Sequence, residues 1–246
     1  MTEAMAPLVA LRAAVALTGG FPVLAGVDLE VAPGETVVLE GPNGAGKTSV
    51  LRVCAGLLAV SSGVAEVLGR DLRRDRSGVR RQVGMLGHSA ALYDDLTAVE
   101  NARFCVRAAG GDPRRVDRAL ERLGVVGRLR DTPAARLSAG QRRRVELAAI
   151  LARRPPLWLL DEAHAGLDSQ AKAVLGDLVR EAIATGTAVI ASSHDPAGAF
   201  PFADRVVGLA GGRVVAVRPH VVPPPVVVPE PVMADAPARR DGVHVA

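Results

Sequence analysis

Gly41-Pro42-Asn43-Gly44-Ala45-Gly46-Lys47-Thr48 fits the pattern G-x-x-x-x-G-K-[ST] without a mismatch. The apolar run Thr36 to Glu40 precedes it as a buried strand, and a helical run from Lys47 to about Leu58 follows. Such a strand–loop–helix unit grips phosphate. Its glycines let the backbone aim several N–H groups at phosphate oxygens, and the helix adds the positive end of its dipole. Lys47 supplies a compact ammonium with freely directed donors, which a planar guanidinium could not copy in so narrow a loop. Only Lys47 and Lys172 among the 30 basic residues are lysine. In a chain so biased toward arginine, a lysine kept here has a chemical reason. Thr48 would hold Mg²⁺ through its hydroxyl.

Working outward, Leu8 to Val31 shows short apolar runs broken at Thr18-Gly19-Gly20 and at Ala32-Pro33-Gly34, which predicts strands joined by turns. About Leu92 to Ala152 is mostly helical by spacing, with Val116, Leu120 and Leu123 at intervals of four and three. A second buried strand is expected at Leu157 to Leu160, a helix at about Ser169 to Thr185, a third strand at Ala188 to Ala191, and a hairpin around Gly211-Gly212. Strands alternating with helices imply a largely parallel sheet, with ligands at the carboxyl ends of its strands. From Pro219 onward, prolines alternate with valines, and an extended, mostly disordered tail is expected. No internal repeat is evident.

Composition narrows the class. The 246 residues suit one large α/β domain plus a tail. Aromatics make up only 2%, so the core is built from Val, Leu, Ala and Ile. No stretch approaches the roughly 20 apolar residues of a spanning helix. Met1 to Leu11 lacks the basic head and compact apolar segment of a secretory signal, so a cytoplasmic protein is expected. Cys54 and Cys105 offer neither a disulfide framework nor a metal-ligand set. The net charge of +4 is scattered and has few aromatics beside it for stacking bases, so no nucleic-acid partner is expected.

Further motifs say what the nucleotide does. Leu157-Trp158-Leu159-Leu160-Asp161-Glu162 is an apolar strand delivering two carboxylates beside the phosphate loop. Asp161 would support the Mg²⁺ shell and Glu162 would orient or deprotonate the attacking water. Upstream, Leu137-Ser138-Ala139-Gly140-Gln141 introduces the basic run Arg142-Arg143-Arg144.

With these residues in hand the chain resembles the ABC ATPase family, whose signature is usually Leu-Ser-Gly-Gly-Gln. The resemblance covers about Leu8 to Val217. It implies an α/β P-loop NTPase core carrying an N-terminal antiparallel β-subdomain and a helical subdomain around residues 90 to 150. The ATPase domain would span 1–218 and the tail 219–246. It also implies an ATP- and Mg²⁺-dependent ATPase working as a homodimer. Gly41 to Thr48, with Ser49, of one chain would be closed by Ser138, Ala139, Gly140 and Gln141 of the other, a second helix N-terminus aimed at the same anion. Gly166-Leu167-Asp168 resembles the loop that crosses the dimer interface, so Asp168 joins the site. Ser192-Ser193-His194-Asp195 resembles the switch motif, with His194 on the γ-phosphate. An integral membrane permease would be the partner, at the cytoplasmic face of the inner membrane.

Departures are specific. His88 takes the place of the usual Q-loop glutamine, measured back from Tyr93. Thr18 stands where an aromatic would stack on adenine, leaving Phe21 as the only nearby ring, so weaker base selectivity is expected. Ala163 replaces the proline that usually follows the catalytic glutamate, and Ala139 is tolerable if that position needs no positive φ. Gly87-His88, the Leu-Ser-Ala-Gly-Gln signature, Arg142 to Val145, and Leu96-Thr97-Ala98-Val99-Glu100-Asn101 together resemble the haem exporter ATPases of cytochrome c maturation. Two alternatives stay open: the ATPase of a drug, lipid or polysaccharide exporter, and a non-transport ABC protein acting on ribosomes or DNA. The second class usually carries tandem ATPase domains or a long coiled-coil insertion, and neither is seen.

Overall fold

The computed structural model describes residues 6–87 and 91–219. His88 and the Pro/Val-rich stretch beyond Pro219 lie outside the described residues.

Strands β1 (Val9–Thr18) and β2 (Phe21–Val31) form an antiparallel hairpin, followed by β3 (Thr36–Glu40) and α1 (Lys47–Cys54). Helix α1 stops short of Leu58 because Gly56 turns the chain at φ +68, letting the Leu57 N–H donate to the Arg52 carbonyl. Next come β4 (Val60–Val67), β5 (Arg70–Asp71), α2 (Arg76–Gln82) and β6 (Val83–Leu86). This stretch has no clear period in its sequence. β4 buries only two of its residues, and β5 is two residues long, so neither strand shows the alternation by which strands are found. Both nevertheless complete an antiparallel sheet of order β2-β1-β4-β5.

The helical region contains α3 (Ala98–Ala108), α4 (Val116–Arg122) and α5 (Ala139–Arg153), linked by short 3₁₀ turns. Then follow β7 (Leu157–Asp161), α6 (Ser169–Ala184), β8 (Ala188–Ser192), the single turn α7 (Pro196–Ala199), and the hairpin β9 (Arg205–Ala210) and β10 (Arg213–Pro219). Pro219 still pairs with Arg205, so the ladder runs one residue into the Pro/Val-rich stretch. The second sheet has the order β10-β9-β3-β8-β7-β6 and is parallel except for its edge hairpin.

That sheet is covered on both faces, which is why its strands read as unbroken apolar runs. Leu157 and Leu159 of β7 point into a core shared with α1 and the antiparallel sheet, while Trp158 and Leu160 point into a core shared with α3, α4, α5 and α6. β3 divides the same way, Val37 and Leu39 to one side and Val38 to the other. The carboxyl ends of β3, β7 and β8 therefore meet at one edge, rigidly spaced.

Two buried polar groups tie the helical region down. Asn101 is fully buried; its Oδ1 accepts from Tyr93 N, and its Nδ2 donates to the carbonyls of Tyr93, Leu96 and Thr97 at 3.0–3.1 Å. Thr97 and Glu100 close a capping box on α3 in front of it. On α5, Glu146 accepts from Ala91 N at 2.6 Å, while its other oxygen is buried with no partner among the described residues. Burial pushes the Glu146 carboxyl up to about 7, against the pull of the Ala91 N–H, Arg143 and Arg142.

Asn101→Ala should lower unfolding free energy by about 2–3 kcal/mol, because buried carbonyls lose their donor; chemical denaturation of wild type and variant measures this. Glu146 has a folded pKa above its ordinary value of 4.5, so the folded state holds the extra proton and stability falls as pH rises through the window from 4.5 to about 7. Glu146→Gln should therefore raise the melting temperature at about pH 8 and leave it nearly unchanged at about pH 5.

Candidate nucleotide cleft

The cleft opens at the carboxyl edge of the parallel sheet, where β3 gives way to α1. Gly41 leaves β3 at φ +141, and a Cβ there would overlap the Leu209 carbonyl oxygen. Gly46 caps α1 in the left-handed region, φ 108, where a side chain is costly. The Lys47 ammonium is folded back over the loop, donating to the carbonyls of Gly41 (2.7 Å) and Pro42 (3.2 Å). Asn43, Gly44, Ala45, Gly46, Lys47, Thr48 and Ser49 line a cleft of about 480 Å³, a volume that suits a small-molecule ligand.

Across the cleft stand residues of β7 and β8. Asp161 is 2% exposed, and both its oxygens are satisfied: Thr48 Oγ1 donates to Oδ2 (2.9 Å) and Ser192 Oγ donates to Oδ1 (2.6 Å). Ser192 Oγ in turn accepts from Glu162 N at 3.0 Å. Glu162 sits just past the strand at φ +48, an unusual conformation for a residue with a side chain. His194 Nε2 lies 3.3 Å from Glu162 Oε1 without making a hydrogen bond to it, and that buried oxygen has no donor among the described residues. Pro22, Val23, Gly211 and Gly212 also line the cleft. Thr18 and Phe21 pair in the β1–β2 turn, Phe21 largely exposed, and neither lines the cleft.

The signature residues lie elsewhere. Ser138 caps α5, accepting from Gln141 N, while the Gln141 side chain accepts from Ser138 N. Ala139 is absent from the residues with positive φ, so its methyl group is accommodated as expected. Ser138, Ala139, Gly140 and Gln141 share a shallow surface with Arg144, Gly166, Leu167 and Asp168. A Cβ on Gly140 would come within 2.9 Å of the Gly166 carbonyl, so the two loops touch. Asp168 caps α6 through Ala171 N and pairs with Arg144 at 2.6 Å. One chain thus brings Gly41–Ser49, Asp161, Glu162 and His194 together but not Ser138–Gln141 or Asp168; Gly41 and Pro42 form the neighbouring wall beside His194.

Other titratable groups are structural. Cys54 is buried, and burial pushes its thiol up to about 12, so it is inert. His164 packs edge-on against Phe200 at 4.9 Å, and burial, Lys172 and Arg143 hold its pKa down. Sequence reasoning passed over Ser192 as an individual residue, although a hydroxyl beside a buried carboxylate is the partner that carboxylate needs. It also passed over Gly211 and Gly212, whose only signal was a turn.

Comparison with known proteins identifies the family. Residues 24–165 match the family model described as ABC transporter. The chain belongs to the ABC transporter family. It is 41% identical over 180 residues to the cytochrome c biogenesis ATP-binding export protein CcmA of Rhodopseudomonas palustris (strain BisB5), covering 73% of this chain and 88% of that one. The Aromatoleum aromaticum (strain DSM 19018 / LMG 30748 / EbN1) protein of the same name is 44% identical over 182 residues, 72% and 83% of the two chains. Among solved structures, the ATP-binding subunit of an ABC transporter superposes with TM-score 0.79 at 30% identity, covering 86% of this chain and 90% of that one. A dimeric post-hydrolysis state of the ATP-binding cassette MJ0796 bound to ADP and Pi superposes with TM-score 0.76 at 25% identity, covering 87% and 99%. This ABC transporter chain is an ATP-binding, ATP-hydrolysing subunit, and no helix among its described residues is long and apolar enough to cross a membrane.

Ser192→Ala removes the donor to Asp161 and the acceptor for Glu162 N together. Its kcat for ATP should fall on the order of tenfold or more with a smaller change in ATP affinity, since Lys47 and the loop glycines are not replaced. Steady-state hydrolysis beside equilibrium binding of a fluorescent ATP analogue separates the two.

Proposed function

We propose that two copies of this chain close around two ATP molecules, hydrolyse them, and drive a membrane permease that serves cytochrome c maturation. The observation that carries this reading is the division of the site. Glu162 Oε1 lies buried, with no donor among the described residues, beside His194 in a cleft lined by the phosphate loop, while the signature surface stands apart on α5. A second copy supplies the missing wall; the similar cassette MJ0796 is dimeric in a post-hydrolysis state bound to ADP and Pi, which supports this.

In this reading the loop amides and the α1 N-terminus bind the phosphates, and Lys47 swings from the Gly41 and Pro42 carbonyls onto the β- and γ-phosphates. Thr48 Oγ1 and Asp161 Oδ2 are hard oxygen donors side by side, the chemistry that Mg²⁺ selects. A single carboxylate also suits an ion that keeps several of its waters. When bound, Mg²⁺ would neutralise charge on the β- and γ-phosphate oxygens. Glu162 Oε1 accepts a proton from the attacking water, and His194 holds the γ-phosphate against it. Ser138 and the Gly140 amide of the partner copy cap the same phosphate, adding a second helix N-terminus. Asp168 stays close to this interface through Arg144. Pro22 and Val23, in place of a ring, leave the base loosely held, so discrimination between ATP and GTP is weak.

Opening of the dimer after hydrolysis moves the permease, which places the chain at the cytoplasmic face of the cell membrane. The relatives named as cytochrome c biogenesis export proteins support a cargo in that process, and haem is the cargo we assign.

Glu162→Gln should trap an ATP-bound dimer on gel filtration; a monomer in saturating ATP would sink the sandwich. Affinity purification from membranes should bring down an integral permease encoded among cytochrome maturation genes. A lone permease of another kind would move the cargo to a drug, lipid or polysaccharide.

A further inference from the structure

The signature helix carries a second device that serves the other end of the reaction. Arg143 lies on α5, three residues beyond Gly140, and is only 6% exposed. Its Nη2 donates to the carbonyls of Asp161 and Glu162, both at 2.8 Å, and its Nε donates to the Ala163 carbonyl at 3.1 Å. Its Nη1 reaches the Gly87 carbonyl at 3.2 Å. Three successive carbonyls thus turn toward one guanidinium. They do so where Glu162 takes φ +48, a conformation that must be held by its surroundings. On the opposite side, Ser192 Oγ fixes the Glu162 N–H.

Resting on the reading of Glu162 as the residue that handles the attacking water, we infer that Arg143 is a positioning residue for Glu162 of its own chain. The planar, always-charged guanidinium spans all four carbonyls, which the point charge of a lysine cannot do. One helix then faces two sites: its N-terminus caps the nucleotide held by the partner copy, and its Arg143 sets Glu162 against the nucleotide held by its own copy. A shift of α5 on closing over the partner's phosphate is felt directly at the backbone of the local Glu162.

In homodimers, Arg143→Gln should lower kcat about a hundredfold, as misplacement of a reacting group does, while the KM for ATP changes less than about twofold. Mixed dimers of full-length chains, separated by two different tags and loaded with radiolabelled ATP, decide which site Arg143 serves. With Arg143→Gln and Glu162→Gln on the same protomer, one site stays intact and half of the bound ATP should be cleaved in a single turnover. With the two substitutions on opposite protomers, both sites are damaged and cleavage should nearly vanish. If Arg143 acts instead through the signature surface of its helix, the two pairings give the reverse result, and the assignment is overturned. Equal loss in both pairings overturns it as well. Where Arg143→Gln fails to fold, seen as lost ATP binding, Arg143→Lys goes through the same pairings under the same criteria. Glu162→Gln homodimers that still hydrolyse ATP would instead remove the reading of Glu162, a failure visible without any Arg143 variant.

Discussion

A carboxylate taken out of water at the end of a strand must be given hydrogen bonds or it destabilises the fold that buries it. Asp161 meets that demand from two directions, through Thr48 at the start of α1 and Ser192 at the end of β8. These two bonds tie the phosphate loop, β7 and β8 into one unit across the edge of the sheet. The same Ser192 oxygen then fixes the amide of Glu162. Replace Asp161 in thought by an apolar residue and the strand still packs, but the loop and the residue after the strand lose their common reference.

The two-faced sheet makes this accuracy possible. β3, β7 and β8 are buried on both sides, so their carboxyl ends cannot drift independently. The helical region hangs on the sheet through α5, and its internal order rests on Asn101 gathering the carbonyls of the 93–97 loop. Arg143 adds a second tie between this region and the sheet, reaching from α5 to the carbonyls at the end of β7.

Much of this was legible in the chain itself, and the reasons are physical. Thr36–Glu40 is a strand with the expected bounds because four successive buried residues, apolar but for Thr36, run straight into the glycine loop. The phosphate loop is legible because backbone conformation there restricts the residue type at Gly41 and Gly46. β4, β5, α2 and β6 were missed. They are short, half exposed or lack periodicity, and β4 owes its place to pairing with β1, a long-range partner that no local window reveals. Arg143 was visible only as one of three consecutive arginines. Its partners are backbone carbonyls, which carry no side-chain signature in any sequence.

The separation of the signature surface from the phosphate cleft has a consequence beyond the chemistry of either. Under the proposed dimer, a single copy is two unmatched halves, and turnover grows with the square of copy number while copies are scarce. Dispersed subunits would waste little ATP. Docking two of them on one permease raises their mutual effective concentration without any new contact, so fuel consumption is confined to assembled transporters by geometry alone.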